Sequence, residues 1–267
     1  MSIFEKVNYL NPLRYITGRI VEYDIKAANI NCLLSDGRLS IDEYNYLNSL
    51  PKQQREIEIG VREKADPTLY TSIAKKIKEA KTWLAQVNNI LESQVVRVAN
   101  DAVYINSMFD LKELQYDNNI RFVPKSVSNI FVNINKILFF ISFDNEGNIH
   151  LEIKNVDEKV LPYTYNYIIS EILSMILILY RSSPADALNY ISNFTSQYLT
   201  LNLPVEYYRE LPTGRFRIKN YTIKGDALFV DRIFNDSDKY SIDTDTNYNL
   251  IRELWSIAIE KYNLNNK

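Results

Sequence analysis

Cysteine and histidine are nearly missing from this sequence: Cys32 and His150 are the only ones among 267 residues. One cysteine excludes an intrachain disulfide and a cysteine-based zinc site. One histidine leaves Ser-His-Asp, Cys-His and multi-histidine metal chemistry without their groups. The six glycines are scattered and form no Gly-rich phosphate loop. Neither sign of charge dominates. The formal net charge of −2 gives no global basic field, so any contact with nucleic acid needs a local basic patch. The most apolar helix-like stretch, Tyr165 to Tyr180, is interrupted by Glu171 and is too short to span a bilayer. The first residues carry charge early and lack an apolar signal-peptide core. These absences lead us to expect a soluble, intracellular (cytoplasmic) protein with no membrane partner.

Hydrophobic residues make up 46% and charged residues 24%, which is globular composition. The length suits one large domain or two small ones. With so little histidine and cysteine, any catalysis must fall to carboxylates, lysines, arginines and tyrosines. That restriction favours a magnesium-type site, which takes oxygen ligands. Richness in Asn, Ile, Lys and Tyr suggests an AT-rich genome.

Two stretches are the most informative. Arg19 to Ile30 reads as an apolar strand that ends on Asp24 and runs into a helix from about Lys26 to Ser35. Val95 to Ile105 reads as two β-branched strands around the turn dipeptide Asn100-Asp101. Each aspartate also has a plainer reading. Asp24 suits a helix N-cap, and Asp101 suits turn chemistry. Between them, Ser40-Ile41-Asp42-Glu43 has the form of a capping box. The charge-dense run Lys52 to Lys64 reads as a helix, with a solvated face as its plain explanation. Thr68 to Ile90 reads as a long amphipathic helix, with Ile73, Ile77, Ala80, Leu84 and Val87 near helical spacing.

Further along, Asn129 to Ile153 reads as a second hairpin around Asp144 to Asn148. Tyr163–Tyr180 and Ala185–Leu201 read as two helices joined at Ser182-Ser183-Pro184. Phe216 to Phe234 reads as two strands around Lys224-Gly225, and Tyr248–Tyr262 as a final helix. Met1 to Gly18 reads as irregular. Intermixed helices and strands predict an α+β fold.

The order Tyr23-Asp24-Ile25-x-x-Ala28-Asn29, Lys52-x-x-Arg55-x-x-x-Ile59-Gly60 and Asn100-Asp101-Ala102-Val103-Tyr104 resembles motifs A, B and C of the family B DNA polymerase palm. The resemblance covers Arg19 to about Ser107. It implies a palm-like antiparallel sheet with helices and a short fingers-like helical insertion over residues 1–160; the residues that follow read as a helical and β region at 161–267. It implies Asp24 and Asp101 as catalytic metal ligands, with Mg2+ (or Mn2+) as cofactor. It also implies Lys52 and Arg55 as phosphate contacts for a nucleoside triphosphate. The chain departs from the family pattern in several ways: the Lys52–Gly60 stretch lacks the usual Asn, and the segment between the two aspartates is compact. Asp101 is flanked by Asn100 and Ala102, where the family hairpin carries a second acid, and Ile59-Gly60 stands where Tyr-Gly is usual.

Glu22, at an offset of two from Asp24, lies on the same strand face and is a candidate third ligand. Gly225-Asp226-Ala227-Leu228-Phe229-Val230 echoes Asn100 to Ile105, which makes Asp226 a rival hairpin-tip ligand. Arg209, Arg215, Arg217, Lys219 and Lys224 form the best local basic cluster for a nucleic-acid backbone. The expected function is metal-dependent nucleotidyl transfer on a nucleic-acid end, in a protein of phage or mobile-element origin. The alternative is a non-catalytic structural or interaction protein, with self-assembly or a protein partner, that keeps a palm-like scaffold.

Overall fold

A computed structural model describes Phe4 and residues 14–134, 136–156, 165–208, 213–223 and 244–265. The side chains of 156, 165, 166, 205, 213–223, 244–246 and 265 lie outside that description. Helices and antiparallel strands are mixed, as the α+β reading expects. The chain divides into two compact units. One takes in Met1–Asn11 and Gly18–Val127, the other Pro12–Thr17 and Ser128–Lys267.

In the first unit, strand β1 (Arg14–Ile25) is followed by helices α1 (Ala28–Ser35), α2 (Ile41–Ser49), α3 (Lys52–Ala65) and α4 (Thr68–Val87). Strands β2 (Val95–Val98) and β3 (Ala102–Asn106) come next. β3 pairs antiparallel with both β2 and β1. Alternation along β1 divides it cleanly. Val21, Tyr23 and Ile25 enter a core with Val103 and Ile105 of β3, beneath Ile30 and Leu33 of α1, Leu47 of α2, Ile59 of α3 and Ile73, Ala80 and Leu84 of α4. Glu22 and Asp24 point to the opposite face, as do their register partners Tyr104 and Ala102.

Local sequence accounts for the helix ends. Ser40 and Glu43 form the reciprocal capping box: the Glu43 N–H donates to Ser40 Oγ at 3.3 Å and the Ser40 N–H to Glu43 Oε2 at 2.9 Å. Asp66 separates α3 from α4, accepting from the Thr68 N–H at 3.0 Å. α1 begins differently from the capping reading of Asp24. Its N-cap is Ala27, in the left-handed region at φ 45°, with no side-chain cap.

In the second unit, β4 (Phe122–Ile134), whose last residues belong here, pairs with β5 (Ile137–Phe143). β5 pairs with β6 (Ile149–Val156), and β6 with β7 (Thr213–Ile223). The apolar run beginning at Asn129 therefore holds two strands and not one. It turns back between Ile134 and Ile137, where Lys136 takes φ 70°. Ile130, Val132, Phe139, Ile141, Leu151 and Ile153 line one sheet face. They share a core with α5 (Ser170–Arg181), α6 (Pro184–Leu199) and α7 (Thr244–Asn265), through residues such as Ile172, Ile176, Ile191 and Leu254. β1 also starts earlier than the irregular reading of Met1–Gly18 allows, at Arg14. No described helix is long and apolar enough to cross a membrane.

Candidate active site

The first unit brings Asp24 and Asp101 together through backbone pairing. Asp24 is in register with Ala102, and the Ile25 N–H donates to the Asp101 carbonyl at 2.9 Å. Asn100-Asp101 is the two-residue tip of the β2–β3 hairpin, closed by the Ala99 N–H donating to the Ala102 carbonyl at 2.9 Å. The tip of the hairpin thus abuts the last residues of β1.

Burial holds the Asp24 carboxyl above the usual carboxylate range. A hydrogen bond from Lys125 opposes the shift, and the charges of Asp101 and Glu22 add to it. Asp24 Oδ2 accepts from Lys125 Nζ at 2.5 Å. Its other oxygen, Oδ1, is buried and has no hydrogen-bond partner among the described residues. Glu22 is buried, with Oε1 at 3.5 Å from Lys125 Nζ and Oε2 accepting from Ser126 Oγ at 2.9 Å. Lys125 therefore spans both carboxylates of the strand. Arg97 of β2 is in register with Tyr104 and feels the charge of Glu22.

A second lysine approaches from the helical layer. Lys81 of α4 is buried, and its Nζ donates to the Ala99 and Asn100 carbonyls, the latter at 2.6 Å. Burial lowers its pKa to about 8, while Asp101 and Asp24 pull in the other direction. Beside it lies a pocket of about 440 Å³. Lys78, Lys81, Glu63, Tyr70, Asn29 and Asn100 supply polar lining, and Ile73 and Ile77 part of its apolar wall.

The remaining sequence candidates are placed as follows. Lys52 and Arg55 stand at the start of α3, where Lys52 is exposed in a shallow depression with Gln53, Glu56 and Ile57. Asp226, Arg209 and Lys224 lie outside the described residues. Arg215, Arg217 and Lys219 are on β7, and their side chains lie outside the description. His150 neighbours Asp144, with Nε2 and Oδ2 3.1 Å apart, at the β5–β6 turn. Among the described residues no group of three or more His, Cys, Asp or Glu is arranged to hold a metal ion.

Lys125 and Lys81 escaped the sequence reading. Lys125 is 101 positions from Asp24, and nothing local marks it. Lys81 did leave a signal. It sits four residues after Ile77 and three before Leu84, a polar residue inside an apolar stripe.

The bacteriophage PBS1 gene 130 protein family has a model that matches residues 1–260. The chain belongs to that family. The expected phage association is thereby met. No curated protein matches the chain.

Proposed function

We propose that this phage-family protein carries out metal-dependent nucleotidyl transfer on a nucleic-acid end, using Asp24 and Asp101 at the meeting of β1 and the β2–β3 hairpin. The observation that supports this most is the β1–β3 register, which sets Asp24 against the hairpin carrying Asp101. A carboxylate near the end of a strand and another at the adjoining hairpin tip suit a hard divalent cation. The buried, unpartnered Oδ1 of Asp24 is a free oxygen of the required kind. Asp24 and Asp101 would hold Mg2+ or Mn2+, and the ion would supply Lewis-acid stabilisation of charge building on a phosphoryl oxygen.

The chain's own groups do the rest. Lys125 and Lys81 offset the repulsion among Glu22, Asp24 and Asp101. Ser126 orients Glu22 and keeps its second oxygen occupied. Lys52 and Arg55 are proposed as phosphate contacts, and the Arg209–Lys224 cluster as the contact with the nucleic-acid backbone.

A second reading is favoured by one specific observation. Lys125 Nζ already satisfies Asp24 Oδ2 at 2.5 Å, as an internal counterion would in a scaffold that no longer needs a metal. In that reading the protein is a structural or interaction component with a retained palm-like core. Nucleotide incorporation with magnesium or manganese, on primed and unprimed templates, separates the two. Under the catalytic reading, Asp24→Asn and Asp101→Asn each cut turnover by about a hundredfold or more, from lost transition-state charge stabilisation of ~3–4 kcal/mol. A well-folded wild type that incorporates nothing under any template and metal supports the scaffold reading.

A further inference from the structure

A lysine in the apolar stripe of an amphipathic helix needs a reason. Burying an ammonium is costly unless it is hydrogen-bonded and close to negative charge. Lys81 is buried between Ile77 and Leu84 on α4, where an aliphatic side chain would pack at no electrostatic cost. Its ammonium makes two hydrogen bonds, to the carbonyls of Ala99 and Asn100. Both acceptors belong to the turn that carries Asp101, and they are the two residues that immediately precede it.

The same turn is held from its other side by β1, through the Ile25 N–H and the Asp101 carbonyl at 2.9 Å. A two-residue hairpin loop would otherwise rest on its own closing bond between Ala99 and Ala102. β2 alone is a weak brace: it is four residues long, and its register with β3 shifts between Val95 and Arg97. A tip on so short and irregular a ribbon frays easily.

We infer that Lys81 is a positioning residue. It fastens the β2–β3 turn to α4 and thereby fixes where the Asp101 carboxylate stands relative to Asp24. The catalytic part of this inference rests on the nucleotidyl-transfer reading; the fastening of the turn does not. Lys81 touches the backbone of the turn and not the reacting groups, so its removal should loosen geometry and leave substrate affinity alone. Misplacement of a catalytic group by a small distance is enough to lower turnover.

The test compares Lys81→Met, which keeps the apolar length and removes the donor, with Lys81→Arg, which restores a cation and donors. Lys81→Gln serves if the Met variant does not fold. Hydrogen exchange of the folded full chain is read by mass spectrometry over Val98 to Val103. We expect exchange there to rise by about tenfold or more in Lys81→Met, with α4 and β1 still protected, and to fall back in Lys81→Arg. In incorporation assays, kcat should fall by about tenfold or more with the nucleotide KM nearly unchanged, and Lys81→Arg should recover part of the loss. Unchanged exchange at the turn in Lys81→Met, or in Lys81→Gln where that is used, overturns the fastening. A raised KM with kcat intact overturns the positioning role. Wild-type protein that incorporates nothing removes the catalytic part together with the reading it rests on, and exchange alone then decides whether Lys81 holds the turn.

Discussion

Lys125 Nζ lies 2.5 Å from Asp24 Oδ2 and 3.5 Å from Glu22 Oε1, one cation shared by two acids on the same face of one strand. The pair Lys125–Asp24 closes a gap of 101 positions in the chain. It also bears on how the acidic face of β1 is tolerated, since Glu22 is buried and Asp24 partly so.

Removing the cation should therefore cost more than removing one acid. Lys125→Met removes the cation that these two carboxylates share. Loss of one partner of a fully buried pair costs about 3–5 kcal/mol. Lys125 is 37% exposed, so solvent screening reduces the expected loss to about 1–3 kcal/mol. Urea unfolding gives the value. Lys125→Met combined with Asp24→Asn should recover part of the loss, and strict additivity of the two would show that the ion pair carries no coupling.

Asp24 gives a pH dependence with a definite sign. Burial raises its pKa above the usual 3.8, so the folded state holds this proton more tightly than the unfolded chain. Its contribution to stability is fully present below pH 3.8 and is lost as pH rises through the raised folded value. Asp24→Asn mimics the protonated group at every pH. Its advantage over wild type should be absent in acid, grow as pH rises through that window, and level off toward neutral pH. Unfolding curves collected from acid to neutral pH check this, and a difference that does not vary with pH contradicts it.

Gly18 stands where β1 meets Asn106 of β3. Its φ is +131°, and a Cβ there would lie 2.6 Å from Asn106 Oδ1. Gly18→Ala combines an unfavourable backbone conformation with a clash, and we expect a loss of about 1–3 kcal/mol. Truncating Asn106 to Ala in the same chain should relieve the clash and leave the backbone strain, so recovery is partial. Chemical denaturation of the three variants measures both parts.

The basic cluster is testable without its side-chain geometry. Neutralising Arg215 and Lys219 should weaken nucleic-acid binding and flatten its salt dependence, with a slope change of about one per lost phosphate contact. Titrations at several salt concentrations read the slope. Equal affinity and slope in wild type and variant would exclude these two residues as backbone contacts.

Much of the first unit was legible in the sequence because its signals are local. Ser40 and Glu43 announce a cap three residues apart, Asn100-Asp101 announces a turn, and the stripe from Ile73 to Leu84 announces a helix. The start of β1 was hidden because Pro12 and Gly18 look like punctuation, yet Gly18 sits inside the strand with a backbone conformation open to glycine. The β4–β5 turn was hidden for the opposite reason: Lys136 takes a positive φ without a glycine, so an apolar run conceals a reversal. Asp24 suggested a cap because of its residue type, whereas Ala27 occupies that place through backbone geometry alone. At the candidate site, the backbone adjacency of Asp24 and the hairpin tip that carries Asp101 follows from strand order and register. Lys125 comes from a distant strand, and no pattern near Asp24 could name it.

The alternation of β1 fixes more than its own burial. Val21, Tyr23 and Ile25 face the helices, and Glu22 and Asp24 face away. One residue inserted or deleted between Gly18 and Asp24 would exchange the two sets, driving acids under the helices and a tyrosine off them. The number of residues in this stretch therefore sets which face carries the acids, and a single-residue change would need a compensating bulge to restore the alternation.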